Sequence, residues 1–146
     1  RRDLRFVQQP LNVVMRIKTP TAANAQALRG VIRYGASRIE AVLRDSRHVH
    51  FARFEFIEND SKLVLHTVFD GDFNAYLQHF ALVVGDVFNR LFEYIEEAPP
   101  RPVSDFPNEF VATIRRFHQP AAMGFFFSAY PTTDTAQIIR ASRSRP

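Results

Sequence analysis

The chain has no cysteine and no tryptophan, and Lys18 and Lys62 are its only lysines. Without a thiol, disulfides, thiolate catalysis and Cys-ligated metals are excluded together, and redox chemistry says nothing about the compartment. No apolar run reaches the ~20 residues that a membrane-spanning helix needs, and residues 1–6 lack the apolar centre of a secretory signal. A soluble, cytoplasmic protein is the resulting expectation. P-loop, dinucleotide, nucleophile-elbow and zinc motifs are all missing. With so little lysine, nearly all of the positive side of the net charge of +4 is arginine. The arginines are scattered, with short runs at Arg1/Arg2 and at Arg140, Arg143 and Arg145 near the ends. That distribution reads as a solvated basic surface and not as a nucleic-acid track.

Phenylalanine is abundant instead, 15 of 146 residues. It predicts a bulky aromatic core or an apolar pocket cut into one. A chain of this length can bury a core without a metal or disulfide, and 46% hydrophobic with 23% charged residues is ordinary for a globular domain. One domain over 1–146 is expected, with residues 1–10 as an N-terminal arm and 142–146 as a loose tail.

Along the chain, Val13, Met15 and Ile17 alternate with polar and charged neighbours over residues 11–18, the period of a strand with one face in a core. Thr19 and Pro20 then supply a cap and a first helical residue. Leu28, Ile32, Ala36, Ile39 and Leu43 form the apolar stripe of a long helix that ends near Arg44. Gly30 and Gly35 weaken that helix and predict close packing against the sheet. In the second strand, Val49, Phe51, Arg53, Glu55 and Ile57 fall on one face, and His48, His50, Ala52, Phe54 and Phe56 on the other. Residues 58–61 are a turn by composition, and residues 62–69 return as a third strand. Asp70-Gly71-Asp72 gives a turn and a helix cap. Phe73, Leu77, Phe80, Val84, Val87, Leu91 and Ile95 then trace a second long helix. Asp105 is positioned to cap a shorter one carrying Phe106, Phe110, Ile114 and Phe117. Residues 123–130 read as a fourth strand and residues 132–142 as a closing helix.

This order predicts an α+β fold of the ferredoxin-like βαββαβ type. It has a four-stranded antiparallel sheet, two long helices on one face, and short C-terminal helices. The other sheet face would be open and apolar, and a second copy of the chain is the simplest cover for it.

A resemblance supports the same fold. HFARF at 50–54, LVLHTVFDGDFNAYLQHF at 63–80 and FFSAYP at 126–131 resemble an uncharacterised bacterial family similar to the dimeric α+β barrel superfamily. That ferredoxin-like group includes dye-decolorising peroxidases, chlorite dismutases, antibiotic-biosynthesis monooxygenases and EthD-like proteins. The resemblance implies a homodimer and either cofactor-free or haem-associated oxidation. The peroxidase GxxDG motif is missing, because Gly71 is followed by Asp72 without the matching spacing.

The residues themselves nominate a polar group on the open sheet face beside a Phe-lined cleft, the usual composition of a small-molecule pocket. Arg16, Arg53, Glu55 and Ser128 would bind an apolar or anionic ligand, and His66, His118 and Tyr130 are the candidates for acid–base work. Each has a structural alternative. Arg53 and Glu55 can pair with each other, His66 can be a hydrogen-bonded strand residue, Tyr130 before Pro131 can anchor a strand end, and His118, whose functional readings are a general base or an axial haem ligand, can be a helix-terminal cation. His48 and His50 lack a third ligand at a diagnostic spacing, so no metal site is predicted. Two functions follow: a small-molecule-binding domain with or without oxidative chemistry, and a non-catalytic dimerisation or partner-binding module.

Overall fold

The computed structural model describes residues 8–46 and 48–119. The expected fourth strand at 123–130, the closing helix, and with them Ser128 and Tyr130, lie outside the described residues.

Three strands form one antiparallel sheet in the order β1-β3-β2, where β1 is Gln8–Arg16, β2 is Val49–Ile57 and β3 is Lys62–Asp70. The helices are α1 (Thr21–Ser46), α2 (Phe73–Val83), α3 (Gly85–Leu91) and α4 (Pro107–Phe117). This overturns the expected four-stranded ferredoxin-like fold: strands and helices run β, α, β, β, α, α before α4, with no strand among the described residues after the second helical region. The chain after α3 instead passes through 3-10 turns at Phe92–Tyr94 and Val103–Asp105 into α4.

On the way it occupies the edge of β1 that a fourth strand would need. Glu96 N–H donates to the Arg16 carbonyl, Lys18 N–H to the Tyr94 carbonyl, and Gln119 N–H to the Asn12 carbonyl. Strand β1 also begins earlier than expected and takes in Pro10, which lies opposite Val68. Asn12 and Arg16 turn their backbone groups away from β3, and Pro10 shares their parity. Its missing N–H therefore removes no ladder bond.

The single long second helix is also corrected. It breaks at Val84, whose φ of −127° and ψ of 22° leave the helical region. The break brings Gly85 against Val103: a Cβ on Gly85 would lie 3.1 Å from Val103 Cγ2. Gly35 meets Val87 of α3 at 3.4 Å and not the sheet, and Gly30 faces open space, so neither glycine shows the expected close packing against the sheet.

Capping follows the expectation at one helix and departs from it at another. Asp72 accepts from Ala75 N–H at 2.9 Å and caps α2. Asp105 lies in a 3-10 turn, and α4 begins after Phe106 with Pro107 in its first turn and no side-chain cap. Glu58, Asn59 and Asp60 in the β2–β3 turn hold left-handed conformations. Arg29 of α1 grips that turn with two bonds to Asp60 of 2.8 and 3.1 Å, while stacking over Phe56.

The core lies between the helices and one sheet face. Leu11, Val13, Met15, Leu63 and Phe69 point into it from the strands, and Phe92 and Phe110 from the other side. A β-bulge separates Val49 from Phe51 in the pairing with β3. It breaks the alternation predicted for β2: Val49 packs against the core, while Phe51 is 52% exposed.

Candidate functional site

The sheet face away from the helices gathers part of the predicted site. Register places Asn12 opposite His66 and His66 opposite Arg53. Their side chains are linked. His66 Nδ1 meets Asn12 Oδ1 at 3.2 Å and His66 Nε2 meets Glu55 Oε1 at 3.1 Å, with Arg53 at 3.4 Å from the same carboxylate oxygen. Both ring nitrogens of His66 are thus engaged, and Arg53 and Glu55 do pair with each other.

Arg16 stands on the same face but turns elsewhere, to Glu97 at 3.4 Å, which Arg116 also approaches. This sheet face is not uniformly open, since Val64 and Val68 on it are 4% and 7% exposed. Ser128 and Tyr130 fall outside the described residues.

His118 meets this group through the backbone of Asn12. It bridges to Val13 at the edge of β1, and its Nδ1 accepts the Asn12 N–H at 3.2 Å. Its ring lies 6.0 Å from that of Phe73. Burial, with the charge of Arg115 nearby, holds the imidazole below its usual range. The sign of the consequence is fixed. The unfolded ring takes up a proton near its ordinary pKa and the folded ring only at lower pH, so between the two the unfolded state binds more protons. Stability therefore falls as pH drops through that window. Urea unfolding of the native protein and of His118→Gln from neutral to mildly acidic pH should show the native curve falling more steeply. Parallel curves would count against a buried neutral His118.

His118 does not line the enclosed cavity between sheet and helices, and that cavity, walled by residues such as Phe54, Leu65, Tyr76 and Phe88, measures only about 50 Å³. Ligand pockets commonly run to ~300–1,000 Å³. The polar groups at its wall are already occupied: the Thr67 hydroxyl donates to the Phe51 carbonyl at 2.9 Å and lies 3.5 Å from the Tyr76 hydroxyl. Burial raises the Tyr76 phenol to about 12, so it stays neutral. Among the described residues, no three His, Asp or Glu converge to hold a metal ion. No described helix is long and apolar enough to cross a membrane.

The larger concave feature lies on the opposite side of the molecule's sheet from β1. A solvent-open groove of about 550 Å³ runs between the C-terminal half of α1 and β2. Ile32, Ile39 and Leu43 form its apolar floor beside Phe51, while Glu40 and Arg53 stand at its rim. It exists because the apolar stripe of α1 is buried only at its start: Ala25 and Leu28 are fully buried, but Ile32, Ile39 and Leu43 are only half-buried. Beside it, no described residue pairs with the outer edge of β2.

Compared with known protein families, curated proteins and solved structures, the chain finds no match.

Two features of this region escaped the sequence reading. One is the edge itself, although its signal was present: nine strand residues of β2 with neither Pro nor Lys, the usual guards of an exposed edge. The other is the contact of His50 Nε2 with Asp70 Oδ1 at 2.7 Å, with side chains 13% and 6% exposed. The bulge at 49–51 re-aims His50 toward Asp70, and alternation alone does not reveal a bulge.

Proposed function

We propose that this domain is a non-catalytic interaction module that binds an extended polypeptide strand along β2. The observation that carries this reading is a nine-residue edge strand that no described residue pairs with on its outer side, lying beside an apolar groove. An unpaired edge presents a row of backbone donors and acceptors, and a groove alongside it gives alternate side chains somewhere to go. The enclosed cavity offers much less, being small and apolar.

The small-molecule reading draws on a different observation, the meeting of His66, Glu55 and Arg53 on the outer sheet face. Their mutual bonds already satisfy one another, which favours the strand-edge reading.

The test is selection of a phage-displayed library of linear peptides on the immobilised protein, counter-screened with Ala52→Pro. The Ala52 N–H points to the open edge, so proline there removes a docking donor and no bond to β3. Peptides of alternating apolar pattern, retained by the native protein and lost on Ala52→Pro, are expected. Selection of no such peptides, or equal retention by the variant, would refute the reading.

A further inference from the structure

Backbone parity across the sheet shows which groups of β2 are open. Asn12 and Arg16 direct their backbone bonds away from β3, to Gln119 and Glu96. Odd residues of β1 therefore bond to odd residues of β3, and even residues of β3 bond to the odd residues of β2 that oppose them: Phe51, Arg53, Glu55 and Ile57. Ala52, Phe54 and Phe56 are left to turn their N–H and C=O groups to the open edge.

The same strand carries a self-complementary pattern. In an antiparallel pair, opposed residues must both turn toward the partner or both away, so a two-fold axis has to pass through a residue. Through Phe54, the axis sets Phe54 against Phe54 and Ala52 against the partner's Phe56, all with edge-facing backbone groups. On the outer face it sets Arg53 against the partner's Glu55 and Phe51 against the partner's Ile57. Moving the axis to Arg53 puts arginine against arginine, and moving it to Glu55 puts carboxylate against carboxylate. Like charges directly opposite are unfavourable. Only the Phe54 axis pairs both charges, and it also sets the smallest side chain of the strand, at the groove, against one of the largest.

We propose that a second copy of this chain is the strand that occupies the edge, paired antiparallel about Phe54 to make a continuous six-stranded sheet. This rests on the strand-edge reading above and names its partner. Arg53 and Glu55 are 64% and 44% exposed at the side chain, so each can exchange its contact within the chain for the opposite charge across the axis. Each contact off the axis occurs twice, as in any isologous interface.

Sedimentation equilibrium of the full chain over a range of concentrations tests the pairing. The native protein should dimerise, and Arg53→Glu or Glu55→Arg alone should weaken the dimer at least tenfold, because each reversal creates two like-charge oppositions. An equimolar mixture of the two variants should recover it, since every opposed pair in the mixed dimer is again of opposite sign. A native protein that stays monomeric, single reversals without effect, or a mixture no tighter than its components would overturn the proposal.

A second measurement needs no variant. On concentrating the native protein, the amides of Ala52, Phe54 and Phe56 should exchange more slowly, and unchanged exchange there would also overturn it. A monomer that still selects peptides in the library screen defeats self-pairing alone and leaves the strand-edge reading intact. A monomer that selects none defeats both.

Discussion

Phe69→Ala is expected to destabilise the domain by ~3–5 kcal/mol, the range for truncating a fully buried aromatic residue. Phe69 has no exposed surface. Its ring stacks on Tyr76 with centroids 4.1 Å apart and nearly parallel planes, and meets Phe73 edge-on at 6.3 Å. Removing it takes away both ring contacts with α2 and leaves a space between that helix and the sheet. Such a loss is a large share of the ~5–15 kcal/mol that holds a domain of this kind folded. Urea unfolding followed by circular dichroism measures it. Leu82→Ala, at a position 67% exposed, is the control and should stay within ~0.5 kcal/mol. A Phe69→Ala loss as small as the control would mean that the helices do not pack on the sheet as described.

His50→Ala should cost ~2–3 kcal/mol, because it leaves the Asp70 carboxyl buried and short of a partner. The contact is 2.7 Å long and both side chains are largely shielded from water. Asp70 keeps another interaction, so the loss should stop short of that for a fully orphaned buried charge. His66→Ala gives the contrast. It removes contacts to Glu55 and Asn12 on a more exposed face and should cost no more than ~1 kcal/mol. Equal losses for the two variants would show that the bulge does not hold His50 against Asp70.

Much of the local structure could be read from residue order. The hairpin of β2 and β3, the long first helix and the Asp72 cap all follow from short-range chemistry: period-2 alternation, an apolar stripe, and a carboxylate three residues before a free N–H. The Arg53, Glu55 and His66 group was legible too, because strand parity places them on one face once the hairpin is recognised.

What escaped was set by contacts between residues far apart in sequence. The stripe from Phe73 to Ile95 continues through Val84 because both sides of the break face the same core. The reason for the break, the approach of Gly85 to Val103, lies outside any periodic window. A β-bulge shifts Val49 to the core side without changing composition. The missing fourth strand in the described sheet has the same origin, since the edge of β1 is bonded by Tyr94, Glu96 and Gln119, which belong to turns and helix ends.

The unequal treatment of the two sheet edges bears on the valence of the proposed pairing. The β1 edge is bonded by its own chain and interrupted at Pro10, while no described residue pairs with the outer edge of β2. A unit with one adhesive edge and one blunt edge can join a single neighbour, and once two such edges have met, neither unit can add a third. Where the β2 edges pair as proposed, the polarity that Pro10 and the Asn12 bonds impose is a stop signal against growth of the sheet by further edge addition.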